Sequence, residues 1–167
     1  MTIDTWNTMT LTAARKLQEL THEMDRYRWN ILRRCETRWK NFGETTEEGH
    51  KVYFSGKEDK HEHGVGFRVH EDIVNTVMGC RPVSSRLITI RLRAVRFNIT
   101  VVQANAQTSD YDDNEKEKFY DQLQKVIDQT PTKDNLVVQG DWIAKVGRDA
   151  CENCQGICGS FCNDDTN

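Results

Sequence analysis

Chain breakers are scarce. Two prolines stand in 167 residues, and no Gly/Ser-rich linker, low-complexity segment or internal repeat divides them. With an apolar share of 37%, that scarcity excludes a disordered chain and makes one domain with one sizeable core the expectation. Nowhere do about 18 apolar residues run together, so neither a membrane span nor a membrane partner is expected. Arg15 and Lys16 are not followed by an apolar stretch and a small-residue cleavage site, so no secretory signal is read. The expected compartment is therefore intracellular, where the six cysteines stay thiols. A net charge of −3 speaks against a general nucleic-acid binder.

Charge is nevertheless uneven. Residues 1–100 hold 17 Lys/Arg against 13 Asp/Glu, and residues 101–167 hold 6 against 13. A basic first part can face phosphates while the acidic part binds cations or faces elsewhere; two ordinary solvated surfaces are the plain alternative. Leu17, Leu20, Met24 and Tyr27 recur at helical spacing over 11–28, and Phe119, Leu123, Val126 and Ile127 do so over 115–129, behind acids at Asp112, Asp113 and Glu115 that suit a helix N-terminus. Between them "HKVYFS", "GVGFRV", "SRLITIRL" and "FNITVVQA", and after them "LVVQ", are β-branched or aromatic runs of strand type. The order predicts a mixed α/β class with a sheet core and outer helices. "SRLITIRLRAVRFNIT" reads as a hairpin turning at Ala94 to Arg96, with Ile88, Ile90 and Leu92 on one face and Arg86, Arg91 and Arg93 available to solvent or ligand.

Three polar residues stand at predicted strand boundaries, each close to a tryptophan: Asn7 in "DTWNTMTL", Glu36 in "CETRW" and Asp141 in "QGDW". Oxygen ligands gathered from strand ends suit a hard cation such as Mg²⁺. Taken singly, each is more often a turn residue or a solvated acid, and the combination and order carry the signal.

The ordered series "TWN", "CETRWKNFG", "GVGF", "SRLITIRL", "VVQANAQTSDYDD" and "VVQGDWIAKVG" resembles the endonuclease/exonuclease/phosphatase superfamily. More closely, it is similar to the apurinic-type endonuclease domain of LINE-like retrotransposons and of host genes like them. The resemblance spans essentially the whole chain. It implies a four-layer α/β sandwich of two packed β-sheets flanked by helices. It further implies Mg²⁺-dependent phosphodiester hydrolysis, with Mn²⁺ as a substitute, that nicks DNA to leave a 3′-hydroxyl. Carried over, Glu36 matches the metal-binding glutamate, Asn7 the asparagine beside it, a metal and catalytic residue, and Asp141 the catalytic aspartate of a G-D-x-N motif that helps position the attacking water. Arg38 and Lys40, in the stretch "RYRWNILRRCETRWK" where cations alternate with Trp29 and Trp39, are the candidate DNA contacts.

The departures from the family pattern bear on turnover. Ile143 stands where G-D-x-N has its asparagine, a transition-state donor whose loss typically costs about a hundredfold to a thousandfold in rate. Asn105 and Gln107 stand where the family has Tyr and Pro in A-Y-A-P-T. Arg33 and Arg34 interrupt what should be an apolar strand leading to Glu36, and burying an unpaired guanidinium is expensive, so a distorted or exposed strand is expected. The family pattern continues past the position of Asn167 with the aspartate and histidine that activate water, so residues 1–167 are expected to be one domain lacking its C-terminal third. The expectation is a catalytically impaired Mg²⁺-dependent endonuclease-like domain of retrotransposon ancestry. The alternative is an inactive relative serving as a nucleic-acid-binding or interaction module. Expected partners are DNA, weakly bound or lost, and a second copy through exposed sheet edges; the expected compartment is nuclear in preference to cytoplasmic.

Two further motifs carry less. Cys151, Cys154, Cys158 and Cys162 offer four thiolates for zinc or an iron–sulfur cluster, but lack paired CxxC knuckles separated by a longer loop. Thiols without a metal are the preferred reading. His61 and His63 fall on one side of any strand, yet nothing nearby in sequence completes a metal site, and a solvated loop is preferred.

Overall fold

A computed structural model describes residues 1–6, 22, 26–35, 39–47, 49–58, 64–106 and 112–141. The β-branched and aromatic runs fold as strands, because such side chains pack well on a pleated, half-buried surface. The first sheet carries β1 (Ile3–Trp6), β2 (Ile31–Cys35), β3 (Phe42–Glu47), β4 (His50–Ser55) and β5 (Val65–Val69), in the order β1-β2-β5-β4-β3. A 3₁₀ turn, Glu71–Thr76, leads to the second sheet, where β6 (Val77–Ser84), β7 (Leu87–Leu92), β8 (Ile99–Asn105) and β9 (Asn135–Asp141) lie in chain order. Each sheet is mixed: β1 pairs parallel with β2, β8 pairs parallel with β9, and the other pairs are antiparallel.

The sheets pack face to face through residues of one parity. Ile31, Val65, Phe67 and Val69 of the first meet Ile88, Ile90, Leu92 and Val101 of the second, all buried. Each such side chain contributes about 1.5–3 kcal/mol by leaving water. The outer face of the second sheet is covered by helix α1 (Asp113–Asp128), whose Phe119, Leu123 and Val126 pack on Leu87, Val102 and Ala104. Of the helix predicted over 11–28, the described residues His22, Arg26 and Tyr27 are helical. Among the described residues no helix is long and apolar enough to cross a membrane.

Two sequence expectations are corrected. The strand through Arg33 and Arg34 is regular, not distorted. β2 pairs with β1 and β5 along its length, and Arg33 is buried within it. Two flanking strands satisfy the backbone and leave its register no freedom to bulge. Arg86, expected to be available to solvent or ligand, is buried from solvent as well, because it sits in the turn between β6 and β7 that packs under Asn105, whose backbone amide donates to the Arg86 carbonyl at 2.9 Å.

Candidate functional site

Strand register fixes which ends of the sheets meet. In the first sheet Cys35, the last residue of β2, stands opposite Val65, which stands opposite Ser55, while Trp6 at the end of β1 pairs with Arg34. In the second sheet Leu87 pairs with Ala104, and Asn105 at the end of β8 pairs with Asp141 at the end of β9. The Ser55 hydroxyl donates to the Ser84 carbonyl at 2.8 Å and ties the sheets together at this end. The carboxyl ends of both parallel pairs, β1/β2 and β8/β9, therefore open on one mouth of the sandwich. Carboxyl ends of parallel strands are where sheets of this kind present ligands.

Toward that mouth the inner faces change from apolar to polar. Along β8 the alternation runs Val101, Gln103, Asn105; along β2 it runs Ile31, Arg33; along β9 it runs Val137, Gln139. Gln103 is 0% exposed, Arg33 5% and Asn105 8%. The buried Nε2 of Gln139 has no acceptor among the described residues, and a buried polar group left so costs about 1–3 kcal/mol. A polar lining at a sandwich end is costly for stability alone and is what a site for a polar ligand requires. Deeper in, the interior is apolar. There the Cys80 thiol is pushed up to about 12, by burial first and Glu44 second, so it is no nucleophile. Burial, with smaller contributions from Glu44 and Cys80, also raises Tyr53.

Of the residues singled out in the sequence, Asp141 is the last residue of β9, and its backbone stands opposite Asn105. Asn105 is buried at the end of β8 and so stands at the mouth. Lys40 is exposed just before β3, in the segment held against β4. That segment is clamped by reciprocal backbone bonds, Asn41 N–H to the Lys57 carbonyl at 3.1 Å and Gly56 N–H to the Asn41 carbonyl at 2.7 Å. A side chain at Gly56 would collide with the Trp39 carbonyl oxygen. Asn7, Glu36, Arg38, Gln107, Ile143, the histidines 61 and 63 and the cysteines 151, 154, 158 and 162 lie outside the described residues. Among the described residues, no three His, Cys, Asp or Glu side chains gather to hold a metal ion.

Gln103, Gln139 and Arg33 were not read from the sequence as lining. The available signal was a polar residue recurring on the parity of an apolar face, as in "VVQAN".

Comparison with known proteins agrees with this geometry. No family model matches the chain. The solved structures it resembles include humanized D. rerio TDP2, with a TM-score of 0.63 at 11% identity over 92% of this chain and 70% of that one. They also include the endonuclease domain of TRAS1, a telomere-specific non-LTR retrotransposon, with a TM-score of 0.59 at 15% identity over 86% of this chain and 59% of that one. D. rerio TDP2 complexed with a single-strand DNA product has a TM-score of 0.61 at 12% identity over 93% of this chain and 64% of that one. The chain thus shares the fold of these structures, two packed mixed sheets of the endonuclease/exonuclease/phosphatase type. Its sequence relatives include craniofacial development protein 2 of Tragulus javanicus, 35% identical, and of Bos taurus, 34% identical, each over 95% of this chain. Fold neighbours and sequence relatives agree with the resemblance that the ordered motifs carry. The chain spans 27% and 26% of the length of those two relatives.

Proposed function

We propose that this domain is a Mg²⁺-dependent DNA phosphodiester hydrolase of retrotransposon ancestry, slowed by substitutions at its reacting centre and acting in the nucleus. The observation that carries this reading is the shared mouth of β1/β2 and β8/β9, lined by buried polar side chains. The donor set fits the ion: Glu36 and Asn7 offer a carboxylate and an amide oxygen, the hard ligands Mg²⁺ or Mn²⁺ takes, and they directly follow two strands paired in parallel. When bound, the ion supplies polarisation of the phosphate and neutralises charge on the leaving oxygen. Asp141 orients the attacking water, and its strand end gives the rigidity that positioning demands. Lys40, exposed on its clamped segment, and Arg38 two residues before it hold the DNA backbone.

The slow turnover follows from Ile143, which supplies no amide donor where the family pattern has one, and from Asn105, which supplies no phenol. The same two residues favour the second reading, a domain that binds nucleic acid without cutting it. Nicking of supercoiled plasmid separates the two. The expected result is weak nicking with Mg²⁺ that vanishes with EDTA and in Glu36→Ala. Nicking that survives both would remove the metal from the scheme, and retained DNA binding with no nicking at all would leave the second reading.

A further inference from the structure

The far end of the sandwich carries a second cationic feature. A cleft of about 460 Å³ lies between the turn joining β7 to β8 and the loop joining α1 to β9. Asn98 and Asp134 on its wall immediately precede the paired starts of β8 and β9, whereas the mouth lies at their other ends. Seven residues of strand at about 3.3 Å each separate the two places by roughly 23 Å.

Charge in this cleft is not balanced. Its one acid, Asp134, is consumed by Arg91, which donates from Nε at 2.6 Å and from Nη2 at 3.0 Å, and by the Thr100 hydroxyl at 2.8 Å. Arg96 and Lys133, also on the wall, form no ion pair or hydrogen bond among the described residues and stand exposed. Beside Arg96 on the same wall is Phe97, with 57% of its surface in water. An exposed aromatic ring, two uncommitted cations and a concavity in the range of small-molecule sites fit one kind of ligand, a phosphate joined to a planar base. Phosphate alone would leave the ring without a role, and an acidic peptide offers no planar partner for it.

We propose that this cleft binds a nucleotide unit, its phosphate on Arg96 and Lys133 and its base against Phe97. The unit is either a free nucleotide or one residue of a nucleic-acid strand. The inference does not rest on hydrolysis at the mouth, because binding here needs no metal.

The test is fluorescence anisotropy of the full chain with a labelled 12-residue oligo-dT in EDTA, where the nicking reaction is silent. Arg96→Glu with Lys133→Glu is expected to weaken binding at least tenfold. Phe97→Ala is expected to weaken it about tenfold, the scale of one lost base–aromatic stack. Competition by thymidine monophosphate at similar concentration supports the free nucleotide, and binding of the oligonucleotide alone supports a strand. Unchanged affinity in the double variant, or in Phe97→Ala with its melting curve intact, overturns the proposal. So does displacement by polyglutamate as effective as by oligonucleotide, since the cleft would then read charge only.

Discussion

Asp134 is a heavily engaged carboxylate. Three donated bonds from Arg91 and Thr100 meet on a side chain only 2% exposed. The hydrogen bond from Arg91 is the main cause that holds its carboxyl below the ordinary 3.8, with the Thr100 hydroxyl and the guanidinium charge adding to it, against some desolvation. The same bond raises Arg91. A folded-state value below the unfolded one stabilises the fold above the unfolded value and ceases to as pH falls through the folded one. The melting temperature is therefore expected to be level above about pH 5 and to drop below about pH 4. Asp134→Asn is expected to melt lower than wild type at pH 7 and to converge with it in strong acid. Equal melting temperatures at pH 7 would show that the three bonds contribute nothing net. Arg91 could be read from the sequence as a residue on the polar side of its strand. Its partner, 43 residues away, could not.

Among the elements, the strands with a single texture were legible and those with a mixed one were not. β4, β5, β7, β8 and β9 coincide with the runs that composition marks out. β6 contains Gly79 and Pro82 and carries register shifts beside both, and proline within a run argues against a central strand. It is an edge strand, where that objection does not apply. β3 is the other kind of edge, mostly polar and half in water. The segment before β3, which carries Lys40, depends on Gly56 because the Trp39 carbonyl occupies the space a side chain would need. Gly56→Ala is expected to cost about 1–3 kcal/mol, the usual range for overpacking, read from urea unfolding. It should also weaken DNA binding by as much as Lys40→Ala does. Loss of neither would mean that the segment shifts aside without consequence.

For the whole molecule, the exposed edges decide behaviour at high concentration. β9 pairs with β8 alone among the described strands, and its outward Leu136 and Val138 are 37% and 36% exposed. At an edge of the other sheet Phe42 is 69% exposed. An edge with unpaired backbone groups and apolar side chains templates addition of another strand. We expect concentration-dependent self-association in sedimentation velocity, reduced by Val138→Lys, which puts a charge where a partner strand would pack. A sedimentation coefficient that stays monomeric across the accessible concentrations would exclude this edge as an interface.

The local and the ordered were determined by the sequence alone: which runs are strands, the apolar stripe of α1, and the succession of motifs that carries the resemblance to the superfamily. Period and composition carry these, and both are properties of neighbouring residues. The tertiary structure decided what depends on distant pairing. Register alone places the ends of β1/β2 and β8/β9 on one mouth. Central position in a sheet holds Arg33 regular and buried where its own chemistry argued for distortion. Closure of the β7–β8 turn against the α1–β9 loop creates a cationic cleft from residues that, along the chain, are unremarkable surface arginine and lysine. A side chain's cost or use is set by what faces it, and what faces it is chosen only when the chain has folded.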